Sequence, residues 1–189
     1  MGNRAARLID QLFFKRLLEN PKQGDAHELF STEHKNILTG LESVLAAEGL
    51  RKAVQAFLDQ TDSDGQPINI EPRYLLVPTS LKHTAIELTK GATLIIAGGG
   101  ETPSIRPALN SLVDENLQVV SSPYLGNAKY TGNSEKAWYL FGDPNQVDTF
   151  EIGFLKGNRS PKVEKGDTDF NTLGLWFRVY FDLGIREQD

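Results

Sequence analysis

Three histidines, His27, His34 and His83, are the side chains of this 189-residue sequence that could act as bases near neutral pH. His27 and His34 lie seven residues apart, so they lack the i, i+4 spacing that places two imidazoles on one helical face to bind zinc. Ser31 and Ser80 lie near histidines, but neither occurs in the Gly-x-Ser-x-Gly context of a nucleophile elbow. Because catalytic triads assemble from distant parts of a chain, the sequence alone leaves a histidine-based site open.

The segment from Gln60 to Glu71 imitates a calcium-binding loop. Four residues match its third, fifth, sixth and twelfth positions: Asp62, Asp64, Gly65 and Glu71. The first position requires Asp but holds Gln60, and Pro67 and Pro72 prevent the helix that should follow the loop. A turn that ends a helix is the favoured interpretation, so the sequence predicts no metal site here.

A glycine run, Gly98–Gly100, follows an apolar segment, as the glycines of a phosphate-binding loop do. The dinucleotide fingerprint requires Gly-x-Gly-x-x-Gly and then a helix whose N-terminus faces the phosphate. Here the run is followed by Glu101, Thr102 and Pro103, and the carboxylate of Glu101 would repel a phosphate. The sequence therefore predicts a flexible loop and no cofactor.

Aromatic side chains surround a basic one between Trp176 and Phe181, a pattern that resembles a stacking platform for single-stranded nucleic acid. Only one positive charge, Arg178, lies among them, and Asp182 follows. A strand packed on both faces, or on one face with the other against a partner chain, is the favoured interpretation. We therefore expect no sequence-specific nucleic-acid binding.

The composition is typical of soluble globular proteins, with 39% hydrophobic and 24% charged residues. No apolar run approaches the roughly 18 residues that a membrane span needs, so no membrane partner is expected. The sequence contains no cysteine, which removes disulfides and thiol chemistry. A net charge of -5 argues against a protein whose main task is binding phosphates.

The elements that would position these residues differ between the two halves of the chain. Apolar residues at helical spacing predict helices over residues 4–19, 46–60 and 79–90. Thr79 or Ser80 is the expected N-cap of the last helix. Apolar runs and alternation predict strands over residues 73–77, 94–97, 117–120, 136–141, 149–155 and 175–181, with a mobile loop over residues 102–107. Helices crowd the first half and strands the second, which indicates an α+β fold.

Three blocks of sequence occur in an order that is typical of one family. They are Asp64–Pro78 (DGQPINIEPRYLLVP), Ala137–Pro144 (AWYLFGDP) and Phe150–Gly157 (FEIGFLKG), the last with a downstream WFRVYFDLG that ends at Gly184. Together they resemble the Mu-like and prophage-encoded major head (capsid) proteins, including forms fused behind a Clp-type prohead protease. The resemblance covers nearly the whole chain, and the first block is the most specific.

The resemblance implies the tailed-phage major capsid fold, in which an axial domain lies at the capsomer centre and a peripheral domain carries a long spine helix and a sheet. Residues 1–37 would be the end of the spine helix and its connection, residues 38–148 the axial domain, and residues 149–189 the return to the peripheral sheet. The N-terminal arm and extended loop of the family would be absent, so this chain would be a fragment. Alone, it is expected to stay monomeric or form small oligomers, whereas the complete gene product forms shells.

The implied function is structural rather than enzymatic. Copies would assemble in the bacterial cytoplasm into pentamers and hexamers of an icosahedral shell around the genome, with a prohead protease and a scaffold as further partners. No catalytic, cofactor-binding or metal-binding residue is expected. The open alternative is a hydrolase, such as a prohead protease region that uses His27, His34 or His83. It requires a concave pocket with a histidine within hydrogen-bond reach of a hydroxyl or carboxylate, whereas the capsid interpretation predicts a flat wedge without such a pocket.

Overall fold

The computed structural model describes residues 2–62, 64–97, 105–166 and 174–188. Its helices are α1 (Gly2–Leu18), α2 (Ala47–Leu58) and α3 (Lys82–Lys90). Its strands are β1 (Pro72–Pro78), β2 (Thr93–Ala97), β3 (Ile105–Leu109), β4 (Gln118–Ser122), β5 (Tyr139–Gly142), β6 (Phe150–Phe154), β7 (Lys162–Lys165), β8 (Phe177–Tyr180) and β9 (Leu183–Glu187). Helices dominate the first half and strands the second, which confirms the α+β prediction.

The three predicted helices are confirmed, whereas the strand prediction is incomplete. β5 begins at Tyr139 rather than at residue 136, and β8 is shorter than the predicted strand over residues 175–181. The sequence patterns do not predict β3, β7 or β9. Since β3 starts at Ile105, the prediction of a mobile loop is wrong for residues 105–107. The glycine run Gly98–Gly100 lies outside the described residues.

Strand β1 is the centre of a three-stranded sheet with the order β4-β1-β5. It runs parallel to β4 and antiparallel to β5, so that Leu75 lies between Val119 and Leu140. A strand that has hydrogen-bonded neighbours at both edges and packed layers on both faces contains a continuous run of apolar residues. This is why Leu75, Leu76 and Val77 are all buried.

The two faces of β1 serve two cores. Because successive side chains of a strand point to opposite faces, Leu75 and Val77 pack with residues of α2 and α3, whereas Leu76 packs with α1. The first core contains Leu45, Leu50, Val54, Leu75, Val77, Ala85, Leu88, Leu112 and Leu117. The second contains Phe14, Leu17, Leu18, Leu76 and Leu125. The sheet is therefore covered by α2 and α3 on one side and by α1 on the other.

The predicted N-cap of α3 is wrong. Pro78 occupies the capping position of a 3-10 turn (Thr79–Leu81) that leads into α3, and no side chain caps this turn. The hydroxyl of Ser80 instead donates a 2.7 Å hydrogen bond to the carbonyl of Glu135. This hydrogen bond joins residues that are far apart in the sequence, so a local capping pattern could not reveal it.

The remaining strands form three two-stranded antiparallel ribbons, β2–β3, β6–β9 and β7–β8. The β6–β9 ribbon is fixed to α1 by Arg16, whose Nε and Nη2 donate 2.8 and 2.7 Å hydrogen bonds to the two carboxylate oxygens of Glu187. Arg16 holds the pKa of Glu187 below its usual value. Phe13 also packs edge-on against Phe150 at a ring distance of 5.2 Å. The start of β6 and the end of β9 are therefore anchored to α1.

Candidate functional site

His34 is the histidine with the most polar contacts. Its Nε2 donates to the carboxylate of Asp25 at 2.7 Å, and its Nδ1 is 3.3 Å from the carbonyl oxygen of Leu29. Since both ring nitrogens face acceptors, the geometry favours the doubly protonated imidazolium. The hydrogen bond with Asp25 raises the pKa of His34, and the same bond lowers the pKa of Asp25. His34 is therefore suited to hold the loop together, not to abstract a proton.

Asp25→Asn is expected to lower the pKa of His34, because it removes the charged acceptor that favours the imidazolium. In the wild-type chain the NMR titration of His34 should give a pKa above the ordinary value of about 6.5. A raised pKa stabilises the fold fully below pH of about 6.5, and this contribution is lost as the pH rises through the folded-state value. Asp114→Asn, at an exposed position in a different turn, is the control and should leave the titration unchanged. An equal pKa in wild type and Asp25→Asn would contradict the assignment.

The serines considered as nucleophiles have other hydrogen-bond partners. Ser31 Oγ accepts from the backbone N–H of His34 at 3.2 Å, and Ser80 donates to a backbone carbonyl. His83 lies on the exposed side of α3. His27 lies with its ring centre 6.1 Å from that of His34. Among the described contacts, neither serine hydroxyl is hydrogen-bonded to an imidazole.

The segment that imitates a calcium loop is confirmed as a turn that follows a helix. The Oδ1 atom of Asp62 accepts from the backbone N–H groups of Asp64 and Gln66, at 3.0 and 2.8 Å. A backbone bridge between Thr61 and Pro67 closes the turn. The carboxylate of Asp62 is thus bound to backbone donors. Within the described ranges, no group of three or more His, Asp or Glu side chains is arranged to hold a metal ion.

A groove with a volume of 730 Å³ lies between α1, the end of α2 and β5. Its apolar lining includes Leu17, Phe30, Ile37, Phe57, Ile68, Ile70, Trp138, Leu140 and Val147. The charged side chains that line it are Lys35 and Lys136, and none of the three histidines does so. A concave groove therefore exists where the capsid interpretation expects a flat surface, but it does not have the histidine that the hydrolase alternative requires.

The β7–β8 ribbon is the main exposed apolar surface. Phe177 and Trp176 are 62% and 65% exposed, so the predicted packing of this strand, on both faces or on one face, is not found within the single chain. The ribbon register pairs Val163 with Val179 on one face and Glu164 with Arg178 on the other. Arg178 donates from Nε to Glu164 at 2.6 Å and lowers the pKa of that carboxyl. The ribbon thus has one apolar and one polar face, and both are exposed.

The exposed apolar ribbon and the groove indicate the class of protein to which this chain belongs. Exposed contiguous apolar surface of this kind marks sites where a protein contacts other chains. Among the described contacts, neither Ser31 nor Ser80 is hydrogen-bonded to an imidazole, and the groove is lined mostly by apolar side chains. The exposed apolar ribbon and the apolar groove are features of a protein that contacts other chains.

The whole chain, residues 1–189, matches the model of the phage capsid protein family, and the chain belongs to that family. The resemblance to phage major head proteins is thereby confirmed. The family indicates a structural role in the virion and contact with other capsid copies. Among the curated proteins and the solved structures, none matches this chain. In the described parts of the chain, every helix is too short or too polar to cross a membrane.

Proposed function

We propose that this chain is part of a Mu-like major capsid protein whose copies assemble into pentamers and hexamers of an icosahedral shell around the phage genome. The match of every residue to the phage capsid family carries this proposal. Assembly takes place in the bacterial cytoplasm, with a scaffold and a prohead protease as partners. The chain acts through its contacts, without catalysis.

The proposal assigns residues 1–37 and 149–189 to a peripheral domain and residues 38–148 to an axial domain. Two contacts support joining the first and last segments: the ion pair between Arg16 and Glu187, and the ring contact between Phe13 and Phe150. The sheet β4-β1-β5, with α2 and α3 on one face, accounts for most of the regular structure of the middle segment. α1 belongs to the proposed peripheral domain and Leu76 to the proposed axial domain. Because α1 packs on Leu76, the second core contains residues of both domains.

Shell formation follows from the repetition of contacts between unlike surfaces. When one surface of a copy binds a different surface of the next, the contact repeats around an axis and closes into a ring if the rotation permits. Each contact can be weak, because a copy held by several neighbours has a high effective concentration at every contact. Exposed apolar surface on the β7–β8 ribbon supports this mode of association.

Sedimentation velocity of the purified chain over a range of concentrations, with electron microscopy of the same samples, tests the proposed function. We expect the weight-average sedimentation coefficient to rise with concentration as small oligomers form. Apolar burial contributes about 25 cal/mol for each Å² removed from water, so pairing of exposed apolar faces favours association. The expectation from the sequence also allows a monomer, but the exposed apolar surface narrows it to small oligomers. A single monomeric species at every concentration would therefore overturn the proposal.

A further inference from the structure

The apolar face of the β7–β8 ribbon is uncovered in the single chain. Val163 lies opposite Val179 and Lys165 opposite Phe177 on this face, and Leu175 just before the strand is exposed as well. A two-stranded ribbon alone is marginally stable in water and usually needs a third strand or a packed layer. The ribbon therefore gains stability when another surface covers this face.

The described parts of the ribbon, its flanking residues and the segment before it contain more basic than acidic residues. The described residues 155–166 and 174–182 contain five basic and two acidic residues. The basic residues are Lys156, Arg159, Lys162, Lys165 and Arg178, and the acidic ones are Glu164 and Asp182. The connecting residues 167–173 add Asp167 and Asp169 to the sequence and lie outside the described part. Lys165 is the charged residue on the apolar face, whereas Lys162 lies on the other face with the ion pair between Glu164 and Arg178.

The opposite charge occurs on a second surface of the same chain. The acidic loop, residues 59–71, contains four acidic residues and no basic one: Asp59, Asp62, Asp64 and Glu71. Ile68 in this loop is 44% exposed, and Leu58 immediately before the loop is 42% exposed. Ile68 and Ile70 also line the 730 Å³ groove. The groove is thus an apolar surface with a negatively charged loop at its edge.

We propose that the β7–β8 ribbon of one copy docks its apolar face into the groove of a second copy, with Lys165 near the acidic loop. This inference rests on the proposed function and names the surfaces through which the copies meet. The two surfaces are complementary both in apolar character and in charge. Lys35 and Lys136 also line the groove, so we expect attraction between opposite charges only where the acidic loop borders the groove. Because the surfaces differ, the contact runs head to tail, as rings require.

Charge reversal on each surface tests the contact. The ribbon variant carries Lys165→Glu. In the loop variant, Asp59→Lys and Asp64→Lys are combined. Sedimentation velocity at low ionic strength should show each variant alone associating about tenfold more weakly than wild type, because like charges then face each other.

Mixing the two variants provides the decisive measurement. In the mixture, the reversed ribbon of one copy meets the reversed loop of the other, and the unchanged surfaces of both also meet. We expect association to return to near the wild-type level, and a chain that carries all three substitutions should associate by itself. The control Lys82→Glu makes the same charge change at an exposed position elsewhere and should associate more strongly than the ribbon variant.

Other results would overturn the proposed contact. Wild-type association of both reversed variants would exclude these surfaces. Loss of association in the ribbon variant alone would indicate contact between ribbons. If a labelled single-stranded DNA oligonucleotide binds the wild type but not the ribbon variant, while association is unchanged, the ribbon is a nucleic-acid surface. A wild-type chain that never associates contradicts the proposed function itself, whereas the preceding results leave it standing.

Discussion

Leu75→Ala is expected to lower the free energy of unfolding by about 3–5 kcal/mol. Leu75 is 0% exposed and lies in the central strand β1, where it packs with α2 and α3. The loss has two parts, because the removed methyl groups lose their apolar environment and the surrounding residues leave a cavity. β1 is hydrogen-bonded to β4 and β5 on both sides, so the backbone cannot move inward to fill that cavity.

Urea unfolding followed by circular dichroism measures this effect as a shift of the transition midpoint. Leu41→Ala is the matched control, since it removes the same atoms from a side chain that is 92% exposed. The control should change the free energy of unfolding by less than about 0.5 kcal/mol. Similar losses for the two variants would show that Leu75 does not lie in the core.

Gly132→Ala is expected to lower the free energy of unfolding by about 3 kcal/mol or more, because two unfavourable effects add. Gly132 has a φ of 80°, and this left-handed conformation costs other residues about 1–2 kcal/mol. A Cβ atom at this position would also overlap the backbone carbonyl oxygen of Leu18, at the end of α1. Since Leu18 belongs to the second core, relief of this overlap requires that α1 or the turn around Gly132 shift.

Gly157→Ala is the control that separates the cost of the left-handed conformation from the cost of the overlap with Leu18. Gly157 has a φ of 70°, but a Cβ there meets nothing within 4 Å, so this variant measures the conformational cost alone. The difference between the two variants in urea unfolding then gives the cost of the contact with Leu18. If both variants lose the same stability, the close approach of Gly132 to α1 does not exist.

Local patterns account for the features that the sequence predicts correctly. The helices follow from apolar residues at helical spacing, and β1 follows from an apolar run between Pro72 and Pro78. The turn at Asp62 is also local, because its carboxylate accepts from N–H groups two and four residues later. The resemblance of the three sequence blocks to phage head proteins is confirmed by the family match.

Features that depend on contacts between distant residues are the ones that the sequence does not predict. β7 has four residues and no buried face, so alternation against a core gives no signal. The pairing of β7 with β8 brings Lys162 and Lys165 close to the aromatic residues of β8. Along the sequence itself, Arg178 is the only positive charge among those aromatic residues. The groove likewise forms from separate segments around Phe30, Phe57 and Trp138, and no local motif indicates it.

The ion pair between Arg16 and Glu187 sets the order in which the fold can be completed. During translation, Arg16 is added to the chain 171 residues before its partner Glu187. Closing so long a loop costs conformational entropy, so the contact forms after the local helices. β7 and β8 lie between β6 and β9 in the sequence, so the base of their ribbon is fixed only when β9 joins α1. The ribbon that carries the exposed apolar face is therefore among the last parts of the described fold to be held in position.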